Sequence, residues 1–306
     1  MKMSNIKAWI ESFRLRTLPL ALSCTGMGSI LAAGFRLFNL KVFILTSVTA
    51  IFLQILSNLA NDYGDTVKGT DNENRVGPQR ALQSGHISLS AMRNAIIICA
   101  LLALGSGCWL LNIAIASQNT WVYVTFLLLG LVCIAAAIRY TVGNKPYGYS
   151  GFGDIAVFLF FGIVGVCGSF YLHAHYVPFS VFLPASSLGL LSAGVLNINN
   201  MRDISNDAAS NKKTLVVRMG LDTAKRYHVA LIATAIIFML LFIWVHSDSV
   251  WHWLFLIATP LFFIQVKSIL KEESSGMDKY LKQLSLTTLL MVVCIAIGVA
   301  IQPFYV

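Results

Sequence analysis

The chain has 306 residues, of which 57% are hydrophobic and only 11% are charged, and its mean hydropathy is +0.74. Soluble domains carry about 25% charged residues, so this composition excludes an ordinary soluble protein and indicates a multi-pass membrane protein. The formal charge is +9, but the Lys and Arg residues are spread over short segments without a continuous basic stripe, so nucleic acid is not an expected partner.

Apolar stretches long enough to cross a lipid bilayer follow one another along almost the whole chain, which predicts an all-α polytopic protein with nine transmembrane helices. They leave no room for a separate soluble domain, so residues 1–306 are expected to form a single domain. The stretches are residues 17–35, 41–60, 92–113, 121–139, 153–172, 179–198, 228–246, 250–268 and 284–302.

Charged residues are concentrated in the N-terminal segment and in or beside every second connection. Among Lys and Arg only Arg36 and Lys41 lie elsewhere, and among Asp and Glu only Asp248 does. By the positive-inside rule these regions face the cytoplasm. The N-terminus is therefore predicted inside and the C-terminus outside. Within residues 1–16 the apolar side chains share one helical face, which predicts a helix lying in the headgroup region.

An acidic stretch, residues 58–71, follows the second predicted span. Three or four residues separate its oxygen-bearing side chains on a helix, so they share one face. Gly69 then allows the chain to turn, so that Asp71 can return to the same point. Clustered carboxylates repel one another unless a cation neutralises them, and the hard ion Mg²⁺ takes oxygen ligands. Beyond the turn, Arg80 is a candidate for binding an anion. The oxygen-bearing side chains are Asn58, Asn61, Asp62, Asp65 and Asp71.

The connection after the fourth predicted span, residues 139–154, is rich in tyrosine and glycine. Tyr140 and Tyr147 offer flat surfaces on which an aromatic acceptor can stack, and Lys145 can meet a carboxylate or a phosphate. The alternative interpretation is an interfacial aromatic belt joined to a glycine-rich turn.

A second acidic stretch, residues 199–207, follows the sixth predicted span. Asn199, Asp203 and Asp207 are spaced i, i+4, i+8, which predicts a stripe on one helical face, and Lys212 and Lys213 follow. Two acidic helix ends, each followed by basic residues, indicate two quasi-repeated halves that contribute to one site.

Residues 61–71 and 202–215 resemble the UbiA superfamily of intramembrane prenyltransferases, which carries an NDxxDxxxD motif after its second span and a DxxxD motif after its sixth. Asn61 and Asp65 match the first motif, and Asp203 and Asp207 match the second. Gly69 stands where many members have Asp, and Asp71 follows two residues later. This variant resembles the branch that prenylates 1,4-dihydroxy-2-naphthoate in menaquinone synthesis. Supporting similarities lie in residues 14–19, 77–80, 140–154 and the apolar run ending at Gly162.

The resemblance implies nine helices around a central cavity with cytoplasmic cap loops, in a bacterial inner membrane. It implies a Mg²⁺-dependent reaction between polyprenyl diphosphate and 1,4-dihydroxy-2-naphthoate, with loss of CO₂ to give demethylmenaquinone. The expected catalytic residues are Asp65, Asp71, Asp203 and Asp207, which with Asn61 and Asn199 are also the expected metal ligands. The expected substrate contacts are Arg80, Tyr140, Lys145, Tyr147, Lys212 and Lys213.

Two alternatives remain at this point. Within the superfamily, the acceptor can instead be 4-hydroxybenzoate or another aromatic acid. In a different class, a cation-coupled transporter also carries intramembrane carboxylates, although transporter sites usually lie near the bilayer midplane.

Overall fold

The computed structural model describes residues 2–71, 80–115 and 119–304. Within these ranges the regular structure is helical, and nine segments are long and apolar enough to cross a membrane. The nine predicted spans are confirmed, and most helices continue past the apolar stretch at the charged end. Spans 1 to 9 are Ile6–Gly34, Leu40–Val67, Leu89–Ala114, Thr120–Arg139, Gly153–Ala174, Phe179–Arg202, Leu221–His246, Val250–Lys271 and Asp278–Ile301.

Span 1 is broken at Arg14, which takes a left-handed backbone conformation with φ of 48° between the helices Lys2–Phe13 and Leu18–Gly34. Span 2 supplies partners for the polar groups at this break. Asn58 donates to the Phe13 carbonyl at 2.9 Å and to the Thr17 hydroxyl at 3.0 Å. The N-terminal helix Lys2–Phe13 is thus fastened to span 2. Asn58, which the sequence grouped with the acidic side chains, has this connecting role.

Span 6 lies at the centre of the second half of the molecule, where it packs against spans 5, 7 and 9. Small residues permit the close approach of spans 5 and 6. A Cβ added at Gly162 would lie 2.5 Å from the Ala185 carbonyl oxygen, and one at Gly189 would lie 2.8 Å from the Phe158 ring. Span 5 is π-helical over Phe158–Gly168 in this region.

The buried apolar side chains form a small cluster between spans 2, 3 and 5 and two larger clusters. One is built from spans 1 and 5–9 and includes Phe170 and Phe242. The other is built from the N-terminal helix and spans 2–4 and includes Leu59 and Met92. Side chains from both halves line one internal cavity, to which the functional site belongs.

Candidate functional site

The cavity has a volume of about 410 Å³ and changes in character along its length. One end is polar and contains both acidic motifs. The rest is lined by apolar and small side chains down to Leu111, Phe126 and Leu172. Along span 4, Phe126 lies 14 residues from Tyr140, a rise of about 20 Å in an α-helix. The polar lining residues include Arg14, Asn61, Asp65, Asp71, Arg80, Tyr140, Asn199, Asp203, Asn206, Asp207 and Lys212.

The first acidic motif occupies the last turns of span 2 and the turn beyond it. The helix continues to Val67, and Gly69 then takes a positive φ of 73°, where a side chain would be strained. The chain turns back so that the Asp71 amide donates to the Asp65 carbonyl at 3.3 Å. Asp65 and Asp71 therefore belong to one compact group.

Arg80 is the cation of the first motif. Its Nε lies 3.3 Å from Asp71 Oδ2, its Nη2 lies 3.6 Å from Asp65 Oδ2, and its Nη1 contacts Asp62. Asp62 also accepts a hydrogen bond from Arg14. Since Asp62 does not line the cavity and two guanidinium groups contact it, its contribution is structural.

The second motif does not form the continuous helical stripe that the sequence predicted. Span 6 ends at Arg202, Asp203 has non-helical dihedral angles (φ −95°, ψ 9°), and a new short helix covers Ile204–Ala209. The bend lets the neighbouring Arg202 grip Asp203, with Nε to Oδ1 at 2.9 Å and Nη2 to Oδ2 at 2.6 Å. Burial raises the pKa of Asp207 to about 6, because the charge of nearby Lys212 offsets only part of the desolvation.

Two contacts join the motifs directly. Asn206 donates from Nδ2 to the Thr70 carbonyl at 2.8 Å. Lys212 Nζ lies 3.4 Å from Asp207 Oδ1 and 3.9 Å from Asp65 Oδ1. Burial alone would lower the pKa of Lys212, but Asp65, Asp207 and Asp203 together raise it, so its ammonium stays charged. The structure thus brings the two acidic helix ends to one point.

The tyrosine-rich connection covers this point. The Tyr149 hydroxyl donates to Asp65 Oδ1 at 2.8 Å, which leaves Thr70 to donate to Tyr149 at 2.7 Å. Burial and the Asp65 carboxylate both raise the pKa of Tyr149, so the hydroxyl keeps its proton. Tyr140 and Tyr147 both line the cavity. Their rings pack edge to face, with 5.3 Å between the ring centroids.

Two of the predicted substrate contacts are not part of this group. Lys145 and Lys213 are exposed and do not line the cavity. The backbone amide of Lys213 donates to the Tyr149 carbonyl at 3.1 Å. The residue therefore joins the segment after span 6 to the tyrosine-rich connection through its backbone. Residues 77–79, which supported the family resemblance, lie outside the described residues.

Sequence reasoning missed three contributors. Tyr149 stood beside Tyr140 and Tyr147 in the same connection, and no local spacing distinguished it. Arg14 belongs to residues 14–19, which supported the family resemblance, but no signal in the sequence assigned it a contact with Asp62. Asp278 lies among other charged residues in the connection before the ninth predicted span, yet it accepts hydrogen bonds from Arg202 at 2.5 Å and from Arg16 at 2.9 Å.

The side chains at the polar end of the cavity offer ligating atoms that suit Mg²⁺. These atoms are carboxylate and amide oxygens, the type that this ion prefers. Among the described residues, Asp207 Oδ2 and Asn206 Oδ1 are buried without a hydrogen-bond donor, so a cation would satisfy them. Arg80 and Lys212 currently separate the acidic side chains, and within the described ranges no three His, Cys, Asp or Glu side chains enclose an ion-sized point.

Comparison with known proteins gives a consistent result. The UbiA prenyltransferase family model matches residues 21–287. The chain is 47% identical over 271 residues to the 1,4-dihydroxy-2-naphthoate octaprenyltransferase of Escherichia coli K12, covering 89% of this chain and 87% of the relative. It is 42% identical over 305 residues to the enzyme of the same name from Haemophilus influenzae, covering 98% of both chains.

Solved structures match in fold. The apo structure of a UbiA homolog from Aeropyrum pernix K1 superposes with a TM-score of 0.65 at 18% identity, covering 94% of this chain and 98% of that one. A UbiA homolog from Archaeoglobus fulgidus bound to GPP and Mg²⁺ superposes with a TM-score of 0.61 at 16% identity, covering 95% and 99%.

Proposed function

Since the chain belongs to the UbiA prenyltransferase family, we propose that it transfers a polyprenyl group from polyprenyl diphosphate to 1,4-dihydroxy-2-naphthoate. The observation that carries this proposal is the 47% identity to a relative with this activity over 89% of the chain. The meeting of two acidic motifs at one end of an otherwise apolar cavity supports it, because the substrate itself has a charged head and an apolar tail.

The diphosphate head belongs at the polar end. The residues that would hold Mg²⁺ there are Asn61, Asp65, Asp71, Asn199, Asp203 and Asp207. When bound, Mg²⁺ would neutralise charge on the diphosphate and so make it a better leaving group. Arg80 and Lys212 line the cavity between the carboxylates, so their N–H groups can turn to phosphate oxygens. Lys145 and Lys213, being exposed, are not included in the proposed contacts.

The prenyl tail belongs in the apolar part of the cavity. Small side chains such as Ala103, Gly107 and Gly130 line it and leave room for a branched chain. This lining excludes water from the reacting carbon, which protects an allylic cation from hydrolysis and strengthens electrostatic stabilisation.

The acceptor ring belongs beside Tyr140 and Tyr147, where aromatic surface borders the polar end. The allylic C–O bond breaks with its electron pair leaving on the diphosphate, and the electron-rich ring supplies the electrons of the new C–C bond. The ring carboxylate departs as CO₂, and the electrons of that bond restore aromaticity. The product is demethylmenaquinone in its reduced form.

The distribution of charge supports an orientation. The polar end carries the connections rich in Lys and Arg, so it would face the cytoplasm of a bacterial cell, with the C-terminus on the outer side of the inner membrane.

The proposal is tested by incubating membranes that contain the protein with Mg²⁺, octaprenyl diphosphate and either aromatic acid, and identifying the product by mass. We expect a decarboxylated octaprenyl naphthoquinol, whose formation stops with EDTA and resumes with excess Mg²⁺. Asp65→Ala and Asp203→Ala should each lower the rate by at least about 100-fold, whereas Asp222→Ala, at an exposed acid outside the cavity, should not. Prenylation of 4-hydroxybenzoate alone would instead establish the alternative acceptor.

A further inference from the structure

Asp278, the first residue of span 9, connects two distant arginines. Its Oδ1 accepts from Arg202 Nη1 at 2.5 Å, and its Oδ2 accepts from Arg16 Nη1 at 2.9 Å. These partners lie 76 and 262 residues away in the sequence. Each carboxylate oxygen therefore has its own guanidinium partner, one on span 6 and one on span 1.

Arg202 is the largest fully buried side chain of the described residues, at 2% exposure. All three of its nitrogens are used, and Asp278 is the partner on the side away from Asp203. Nε and Nη2 hold the two oxygens of Asp203, Nη2 also donates to Asn199 Oδ1 at 2.9 Å, and Nη1 donates to Asp278. The plane of the guanidinium is thus fixed from both edges.

The contact between the side chains of Arg202 and Asp203 requires a particular orientation of both, because the side chains of consecutive residues do not face each other along a helix. Here it forms at the point where the helix ends. Each carboxylate oxygen can accept more than one interaction, so Arg202 orients Asp203 without using its full capacity to bind. Loss of Asp278 would leave a buried N–H donor unsatisfied and would leave Asp203 as the sole carboxylate partner of Arg202.

We propose that Asp278 is a positioning residue for the second acidic motif: through Arg202 it fixes the orientation of Asp203 and moderates the hold of Arg202 on that carboxylate. The proposal extends the proposed function, since it concerns the group that would receive the metal. Arg202 hydrogen-bonds directly to Asp203, and removal of such a group typically changes metal affinity or activity by about 10- to 100-fold; Asp278 acts through it.

The test measures Mn²⁺ binding to the purified protein by electron paramagnetic resonance, without either substrate. Asp203→Asn identifies the Mn²⁺ bound by the second motif. Asp278→Asn should weaken that binding by about 10- to 100-fold, and Asp278→Glu should recover part of it. Glu272→Gln is the matched control: it removes an ion pair with Lys279 (2.8 Å) beside the start of span 9 but outside the site, and it should bind Mn²⁺ as the unaltered protein does.

A double-mutant cycle with Arg202→Gln separates positioning from general destabilisation. If Asp278 acts through Arg202, Asp278→Asn adds little once Arg202 is replaced. Unchanged Mn²⁺ binding in Asp278→Asn, or effects that simply add in the double variant, would overturn the proposal. Thermal unfolding of each variant reports whether it is folded, and a misfolded Asp278→Asn is replaced in the cycle by Asp278→Ser, which also removes the carboxylate.

Because this readout needs no prenyl transfer, it is independent of the reaction assigned to the protein. A weakened Mn²⁺ site in a protein that prenylates neither aromatic acid would support the positioning role and reject the proposed function. In an active protein, Asp278→Asn should raise the Mg²⁺ concentration for half-maximal rate while the KM for the aromatic acceptor stays the same.

Discussion

At the scale of single residues, the main feature of the site is that its charged side chains are buried. Asp65, Asp71, Asp203 and Asp207 are all at most 8% exposed, and a buried carboxylate is costly unless it is paired. Arg80 and Lys212 provide that pairing for Asp65, Asp71 and Asp207, and Arg202 provides it for Asp203. Arg80 and Lys212 also border the cavity, so binding of the proposed diphosphate would exchange one set of opposite charges for another and leave few charges uncompensated.

Tyr149 contributes an uncharged hydrogen-bond donor to the site. Its hydroxyl orients Asp65 without adding charge. Tyr149→Phe should lower kcat/KM by about 10- to 100-fold, the range expected when a hydrogen bond to a charged group is lost. The rate of prenyl transfer at saturating Mg²⁺ measures the effect. Tyr63→Phe provides the comparison, since Tyr63 is on span 2, the helix of Asp65, but packs against the apolar cluster of the N-terminal helix and spans 2–4. Equal rates for the two variants would contradict an orienting role for Tyr149.

At the scale of helices, the apolar stretches predicted all nine spans, because burial in lipid needs about 20 apolar residues in a row. The polar ends of these helices, which continue beyond the apolar stretches, were not predictable in the same way. Hydropathy does not report where a helix ends once it leaves the bilayer, as span 2 does before it ends at Val67. The bend at Asp203 was missed because local spacing does not show long-range contacts. Arg202, where the helix ends, donates to Asp278, 76 residues away in the sequence.

The contact between span 2 and the tyrosine-rich connection can be tested through a glycine. A Cβ added at Gly64 would lie 2.6 Å from Thr141 Oγ1, and Thr141 donates to the Ala60 carbonyl at 2.9 Å. Gly64→Ala should therefore push Tyr140 and Thr141 away, at a cost of about 1–3 kcal/mol for overpacking.

Thermal unfolding in detergent and the rate of prenyl transfer should both fall in this variant. Gly105→Ala on span 3 is the matched control, because an added Cβ there meets nothing within 4 Å. It should leave activity unchanged and raise stability by up to about 1 kcal/mol, the helix preference of alanine over glycine. Similar behaviour of the two variants would show that the span 2 contact does not position the connection.

At the scale of the whole molecule, the charged side chains that line the cavity lie at one end of it. The acidic side chains gather where span 2 and span 6 end, and the lining near Phe126 and Leu172 is apolar. A transporter usually has its ion site near the midplane, marked by ionisable side chains, whereas the described lining beyond the polar end carries no charged side chain. The asymmetry instead matches an amphipathic substrate whose head stays at one membrane face.

With both acidic motifs at the same end, the diphosphate head of the proposed substrate would contact both halves of the chain. Asn206 and Lys212 already cross from the second motif to the first, and a metal-bound diphosphate held by both motifs would add to this connection. A ligand at 100 times its dissociation constant stabilises the folded state by about 2.7 kcal/mol. Mg²⁺ and inorganic pyrophosphate together should therefore raise the thermal midpoint, as measured by intrinsic fluorescence in detergent.

Mg²⁺ alone should raise the midpoint less, since the ion would lack the phosphate oxygens that complete its shell, and pyrophosphate alone should not raise it, since the anion would meet the carboxylates directly. The rise should be lost in Asp65→Ala and equally in Asp203→Ala, although these residues lie on different spans, because a ligand held by both motifs loses most of its affinity when either is removed. Asp222→Ala should retain it. A variant of one motif that kept the full rise would show that pyrophosphate binds to the other motif alone, and the two helix ends would then not form a single site.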